Sequence, residues 1–216
     1  MDLSKYQTLS DHAFMLKKAF NLFAIAALLL LAAAGRWYWQ KSVSIVAAQT
    51  TLANGQHDGQ HDFDFYVGKW RLHNRRLAHP LSGSTQWVEF DGTSVARKLW
   101  DGRASVDEFE ADAPSGHIEG MTVRLYNADT HEWSIYWANG KAGAFSMPPT
   151  VGHFTNGRGE FYDHEDVGGK PVFVRFLWEV QSPRECRWEQ AFSVDEGKTW
   201  ETNWTIDSTR MEGPAL

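Results

Sequence analysis

The sequence predicts an all-β protein, a single antiparallel up-and-down β-barrel of about ten strands preceded by one hydrophobic N-terminal helix, and three observations carry that expectation. Across residues 63–210, short alternating or wholly apolar runs rich in Val, Thr, Phe, Tyr and Trp are separated by Gly, Asn, Asp and Pro. No stretch of that region sustains a helical period. The links between runs are short, which favours sequential antiparallel pairing, because a parallel neighbour needs a crossover of about a dozen residues or more. A sandwich satisfies the same pattern, but a barrel has the advantage of leaving no exposed edge.

Composition bounds the rest. The chain has 216 residues, 43% of them hydrophobic and 14% aromatic, so a packed core is expected rather than disorder. With a typical domain at ~150 residues, there is room for one domain and an appendage. The 21 basic and 27 acidic side chains leave a formal charge of −6, which argues against a nucleic-acid partner, since that binding depends on Lys and Arg displacing counterions. The single cysteine, Cys186, forms neither an internal disulfide nor a Cys-rich zinc site.

Residues 1–35 read as a signal peptide or membrane anchor: Lys17 and Lys18 precede residues 19–35, in which only Asn21 is strongly polar. At ~1.5 Å per residue this stretch is near the lower limit for crossing ~30 Å of hydrocarbon. Ala32, Ala33 and Ala34, and again Val46, Ala47 and Ala48, suit a signal peptidase, whereas Arg36, Trp37, Tyr38, Trp39 and Lys41 suit a membrane interface. Either reading places the body outside the cytoplasm, periplasmic or extracellular, with a membrane partner if the segment stays uncleaved. Residues 36–60 read as a flexible linker with turn formers Asn54, Gly55, Asp58 and Gly59. Within it Gln56, His57 and Asp58 are echoed by Gln60, His61 and Asp62. Closing a metal site in a loose segment costs chain entropy and no second cluster completes it, so neither metal nor cofactor is expected.

Residues 61–212 form the expected barrel domain. Its strands are placed at 70–77, 86–90, 94–100, 106–111, 121–126, 132–139, 159–163, 171–180, 187–194 and 200–210. The clearest hairpin turns through Asn127, Ala128, Asp129 and Thr130, and its second arm puts Trp133, Ile135 and Trp137 on one face. The longest link, residues 140–152, holds Met147, Pro148 and Pro149 and reads as a flap over one end.

Ahead of the first strand, residues 63–70 read Phe-Asp-Phe-Tyr-Val-Gly-Lys-Trp, and the last strand ends in Arg210. With Gly68 and Trp70 forming a G-x-W, this resembles lipocalin-related, calycin-type barrels, in which a basic residue of the last strand covers that tryptophan. Residues 159–163, 174–178 and 188–193 are similar to a family of bacterial proteins of unknown function with the same fold. The resemblance implies a barrel with an internal cavity, a structural Trp70–Arg210 pair, and no established reaction. Near the C-terminus, Ser193, Asp195, Gly197, Thr199 and Trp200 match the Asp-box of sialidase-like propellers. In those proteins the box is a turn device. A single copy without repeating blades reads here as the hairpin joining the last two strands.

The sequence does not say which face of each strand is inside, so each candidate site carries two readings. Arg175 inside the barrel needs a partner such as Glu189 or an anionic ligand; alternatively Arg175 and Glu179 lie on the wet outside while Trp178 fills the core. Arg124, between Val123 and Leu125, poses the same choice. Tyr136, Trp137, Tyr162, Trp178, Trp188 and Gln190 offer rings and polar tips either to a pocket or to ordinary packing. Catalytic motifs are thin: no nucleophile elbow, zinc-protease helix or phosphate loop occurs. The weak acid/base candidates are Glu189, Glu160 and His153, the last flanking the 159–163 run with His164 and facing Glu160 or Asp163 as partner. The function expected is a small hydrophobic or aromatic molecule held in the cavity, with an enzyme on the same barrel, an isomerase, cyclase or hydrolase, as one alternative and an envelope-tethered interaction module as another. Oligomeric state is not legible.

Overall fold

The computed structural model describes residues 58–212. The expected N-terminal helix, both cleavage motifs and residues 36–57 of the linker lie outside the described residues. The strands are β1 (Gly68–Leu77), β2 (Trp87–Leu99), β3 (Ala104–Ala113), β4 (Gly116–Asn127), β5 (Glu132–Asn139), β6 (Ala144–Phe145), β7 (Thr150–Thr155), β8 (Arg158–Val167), β9 (Lys170–Ser182), β10 (Glu185–Ser193) and β11 (Glu201–Arg210).

Ten of them close into a ring. The order runs β4-β3-β2-β1-β11-β10-β9-β8-β7-β5, and β5 pairs back onto β4, leaving only the two-residue β6 as an addition to β5. Every pairing is antiparallel. Closure removes the free edges that an open sheet of this length would present, and it settles barrel over sandwich.

The strand count of ten conceals two offsetting corrections. Residues 86–90 and 94–100 form one continuous strand, β2, because Asp91 and Gly92 stay in register with His73 and Leu72 on β1. Gly92 is a point of close approach rather than a break: a Cβ there would lie 2.6 Å from the Glu110 carbonyl oxygen. Conversely, the expected flap at 140–152 contains the start of β7, whose short run with a central glycine gives little strand signal. The part of that link preceding β7 does reach over the barrel, as described below.

One end of the barrel is closed by the segment ahead of β1. A 3-10 turn at Asp64–Tyr66 folds the chain under the strands, so that Phe63 and Tyr66 are buried. Phe63 meets Trp133, Phe154, Phe161 and Trp178 with ring centroids 5.0 to 5.8 Å apart. Rings edge-on to one another at this spacing contribute beyond their buried area. Asp58, Gly59 and Gln60, expected as the end of the linker, are tied to the same end: Gly59 is buried and its carbonyl accepts the Trp133 indole N–H at 2.9 Å.

The G-x-W element sits here too. Trp70 and Arg210 are directly opposed across β1 and β11, with the guanidinium 4.3 Å from the indole centroid. Arg210 donates to the carbonyls of Val67 (2.6 Å), Pro183 (3.0 Å) and Phe65. Gly68, at φ +123°, keeps its backbone in a region costly to other residues, and a Cβ there would be 2.8 Å from Arg210 Nη1. At the opposite end, the Asp-box segment joins β10 to β11. Asp195 accepts from the Thr199 amide (2.9 Å) and hydroxyl (2.7 Å), while the Gly197 amide donates to Ser193 Oγ at 2.8 Å. These bonds hold the Asp195 carboxyl down at about 2, led by the Thr199 amide.

Candidate ligand cavity

Above the aromatic base the barrel is hollow. The cavity measures about 470 Å³, inside the ~300–1,000 Å³ range of small-molecule sites. It exists because strand alternation sends one residue in two inward, and those of the middle and upper barrel do not fill it. Phe109, Trp137, Phe176, Trp188 and Trp204 form most of its wall, with Leu72, Ile135 and Ile206 between them. The rings brace one another: Trp188 meets Phe176 at 5.0 Å and Trp204 at 5.6 Å, and Phe109 meets Trp137 at 5.8 Å. Gly120 leaves space for the Trp137 indole, which a Cβ would strike at 1.9 Å.

The floor is polar and electrostatically tight. Tyr66, Arg124, Trp178 and Ser208 reach the cavity there. Arg124 is 2% exposed and forms an ion pair with Asp107, itself 4% exposed, which also accepts from Ser94 Oγ at 3.3 Å. Its guanidinium lies over Phe63, Tyr66 and Trp178 at 4.8, 5.4 and 5.5 Å. A buried cation with a carboxylate and three ring faces is compensated rather than stranded. Burial, followed by the Asp107 charge, pushes the Tyr66 phenol well above its usual range, so it stays protonated. Two buried donors at this level, Arg124 Nε and Trp178 Nε1, have no partner.

The upper wall carries the opposite charge. Asp163 and Glu165, two residues apart on β8, both face the cavity, as do Thr150 and the Ser146 and Pro148 positions of the link before β7. Asp163 is 7% exposed; its Oδ2 accepts from Thr150 Oγ1 at 2.9 Å and its Oδ1 has no partner. Burial raises the Asp163 carboxyl to about 6 and the Glu165 carboxyl to about 7, with Asp163 contributing to the latter. Across the mouth Arg76 lies over the Trp204 ring at 4.6 Å.

Of the residues singled out from sequence, Arg124, Trp137, Trp178, Trp188 and Gln190 come together on the cavity wall. Tyr136, Tyr162 and Arg175 do not; they alternate to the outer face. Register explains it: on β9 Val174, Phe176 and Trp178 turn inward, so Arg175 turns out and lies 3.7 Å from Glu189 and 4.5 Å over Trp200. Tyr162 joins that outer layer through Glu160 (2.9 Å) and by stacking on Phe173, and Tyr136 meets Phe145 outside β5. The three acid/base candidates are outside as well: Glu160 bonds Arg158, Glu189 accepts from Thr202, and His153 is exposed. Sequence reading missed Arg76, Glu165 and Trp204. The signal for Glu165 was present, since Phe161, Asp163, Glu165 and Val167 share one face of β8 and Phe161 is too large and apolar to face water.

No family model matches the chain, and no curated protein matches it. Among solved structures it is similar to an S-type phycobiliprotein lyase from Guillardia theta, at 12% identity and a TM-score of 0.54, over 74% of this chain and 96% of that one. A second, EF1p2_mFAP2b bound to DFHBI, has 8% identity and a TM-score of 0.40, over 71% of this chain and 99% of that one. At 12% identity the first likeness is one of architecture, and it agrees with the strand order above: the chain folds as a calycin-like, closed antiparallel barrel.

Proposed function

We propose that the protein is an exported carrier that holds a small aromatic or largely apolar molecule in its barrel, with binding rather than turnover as its role. The observation that carries this reading is the open cavity of about 470 Å³ walled by Trp137, Phe176, Trp188 and Trp204. Stability alone would favour closing such a space, since packed interiors leave few voids larger than a water molecule. The polar floor of Tyr66, Arg124 and Ser208 supports a ligand with an acceptor atom at its deep end. Export rests on the apolar segment behind Lys17 and Lys18, with tethering to the membrane if it stays uncleaved. The outward direction of Glu160, Glu189 and His153 takes the three acid/base candidates read from the sequence away from the cavity.

Two measurements test this. Native mass spectrometry of protein made in its own host is expected to show a bound small molecule. Titration with dansylamide is expected to raise dansyl emission saturably and to quench tryptophan, unchanged in Glu189→Gln. Absence of both a co-purifying molecule and saturable dansylamide binding would overturn the carrier reading. For export, fractionation of the host is expected to place the protein outside the cytoplasm.

A further inference from the structure

We infer that Asp163 and Glu165 form a subsite for the ammonium group of an amine-bearing aromatic ligand, an inference that rests on the carrier reading and names the class of guest.

The geometry points one way. The two carboxyls project from the same face of β8 into the upper cavity, and neither forms an ion pair among the described residues. Asp163 lies on the cavity wall and is more than nine-tenths buried; one of its oxygens is satisfied by Thr150 and the other has no partner. A buried carboxylate oxygen with nothing to accept from is costly, and a protonated amine answers that cost with a charge-assisted bond. The neighbouring strands offer no substitute. Thr150 on β7 and Val172 and Val174 on β9 are uncharged, while His164 and His153 point to the outside.

Other occupants fit less well. A divalent cation needs more oxygen ligands than two side chains supply, and no group of three or more His, Cys, Asp or Glu positioned for a metal occurs among the described residues. An anionic group is opposed by both carboxyls. Arg76, on the cavity rim across the mouth on β1, adds a positive charge, but it packs over the Trp204 indole and lies four strands away around the barrel from β8. The aromatic wall below completes the match: Trp188, Trp204 and Phe176 take a planar body while the carboxyls take the amine. Burial raises both carboxyls toward neutrality, so that an arriving ammonium can draw them into the ionised form.

The test compares dansylcadaverine, which carries an ammonium on a tether, with neutral dansylamide, using the full-length protein at pH 8 and following dansyl emission. Dansylcadaverine is expected to bind about tenfold tighter, the equivalent of one charge-assisted hydrogen bond. In Asp163→Asn/Glu165→Gln that preference, read as the ratio of the two probes' affinities in the same variant, is expected to fall to within about twofold, and in Glu165→Gln alone, at a half-buried position, to about threefold. Dansylamide binding with no preference for the cation, or a preference that Glu165→Gln leaves unchanged, would overturn the ammonium subsite and leave the carrier reading intact. Failure of both probes to bind the parent protein, with no co-purifying molecule, would overturn the carrier reading itself.

Discussion

The two ends of this barrel are made of the same ten strands with the same alternation, yet one is solid and the other hollow. The difference lies in the segment before Gly-Lys-Trp and what it carries. At the base, Phe63 and Tyr66 are inserted among Trp133, Phe154, Phe161 and Trp178, and the buried Asp107 carboxyl is answered by Arg124. At the mouth the link before β7 brings only Ser146 and Pro148 to the wall, and among the described residues the buried Asp163 carboxyl is answered only by the Thr150 hydroxyl. Charge that meets its countercharge within the fold serves structure; charge without one on a cavity wall is available to a guest.

The largest expected effect comes from breaking the base. Arg124→Met leaves Asp107 buried without its cation, and unfolding in urea is expected to show a loss of about 3–5 kcal/mol. Adding Asp107→Leu should return most of that loss, because the cost lies in the stranded charge rather than in the absence of the pair. If Arg124→Met alone is silent, the base is held by its rings and the contrast drawn above fails at its first term.

The mouth is expected to differ in its dependence on pH. A carboxyl whose pKa is higher folded than unfolded favours the fold while it is protonated. Asp163 moves from 3.8 to about 6, so its contribution is fully present below about pH 4 and is lost as pH rises through 6. Glu165 behaves likewise, from 4.5 to about 7. The uncharged Thr150 and Val174 beside Asp163 do not oppose this, and the His164 charge opposes it only weakly. Asp163→Asn removes the titration. Relative to the parent, its stability is expected to improve by about 1–2 kcal/mol between pH 4 and pH 8, after allowance for solvent screening. Equal differences at both pH values would mean that the carboxyl is better satisfied than its unpartnered oxygen implies.

Legibility in the sequence followed the same division. The barrel could be read because aromatic and β-branched runs, short links and Gly68, Trp70 and Arg210 act locally or at the two chain ends. β7 escaped because Thr150–Thr155 has a glycine at its centre and is recognised as a strand only by pairing with β5 and β8. On β5 and β10, where one face is plainly aromatic, Trp137, Trp188 and Gln190 could be grouped as a candidate lining. On β8 and β9 both faces carry large rings, as Tyr162 and Phe173 beside Phe161 and Phe176 illustrate, and only the register of neighbouring strands decides which set is inside. Glu165 was overlooked for a related reason: although Phe161 marks its face of β8 as the inner one, a carboxyl is ordinarily assigned to water, and a functional site is where that rule is broken.

A smaller perturbation returns to the base and sharpens the contrast. Arg210→Lys keeps a positive charge over Trp70 but gives up the planar fork that reaches the carbonyls of Val67, Pro183 and Phe65 together. One ammonium on a flexible stem can meet one or two of them, so a loss of about 1 kcal/mol is expected in urea melts. Since those acceptors are neutral carbonyls, the loss should be the same at pH 5 and pH 8, unlike the difference made by Asp163→Asn. Dansylamide affinity should also be unchanged, because Arg210 lies beneath the floor and touches no part of the cavity wall. A change in affinity would mean that base and mouth are mechanically coupled, and the division of labour between them would have to be redrawn.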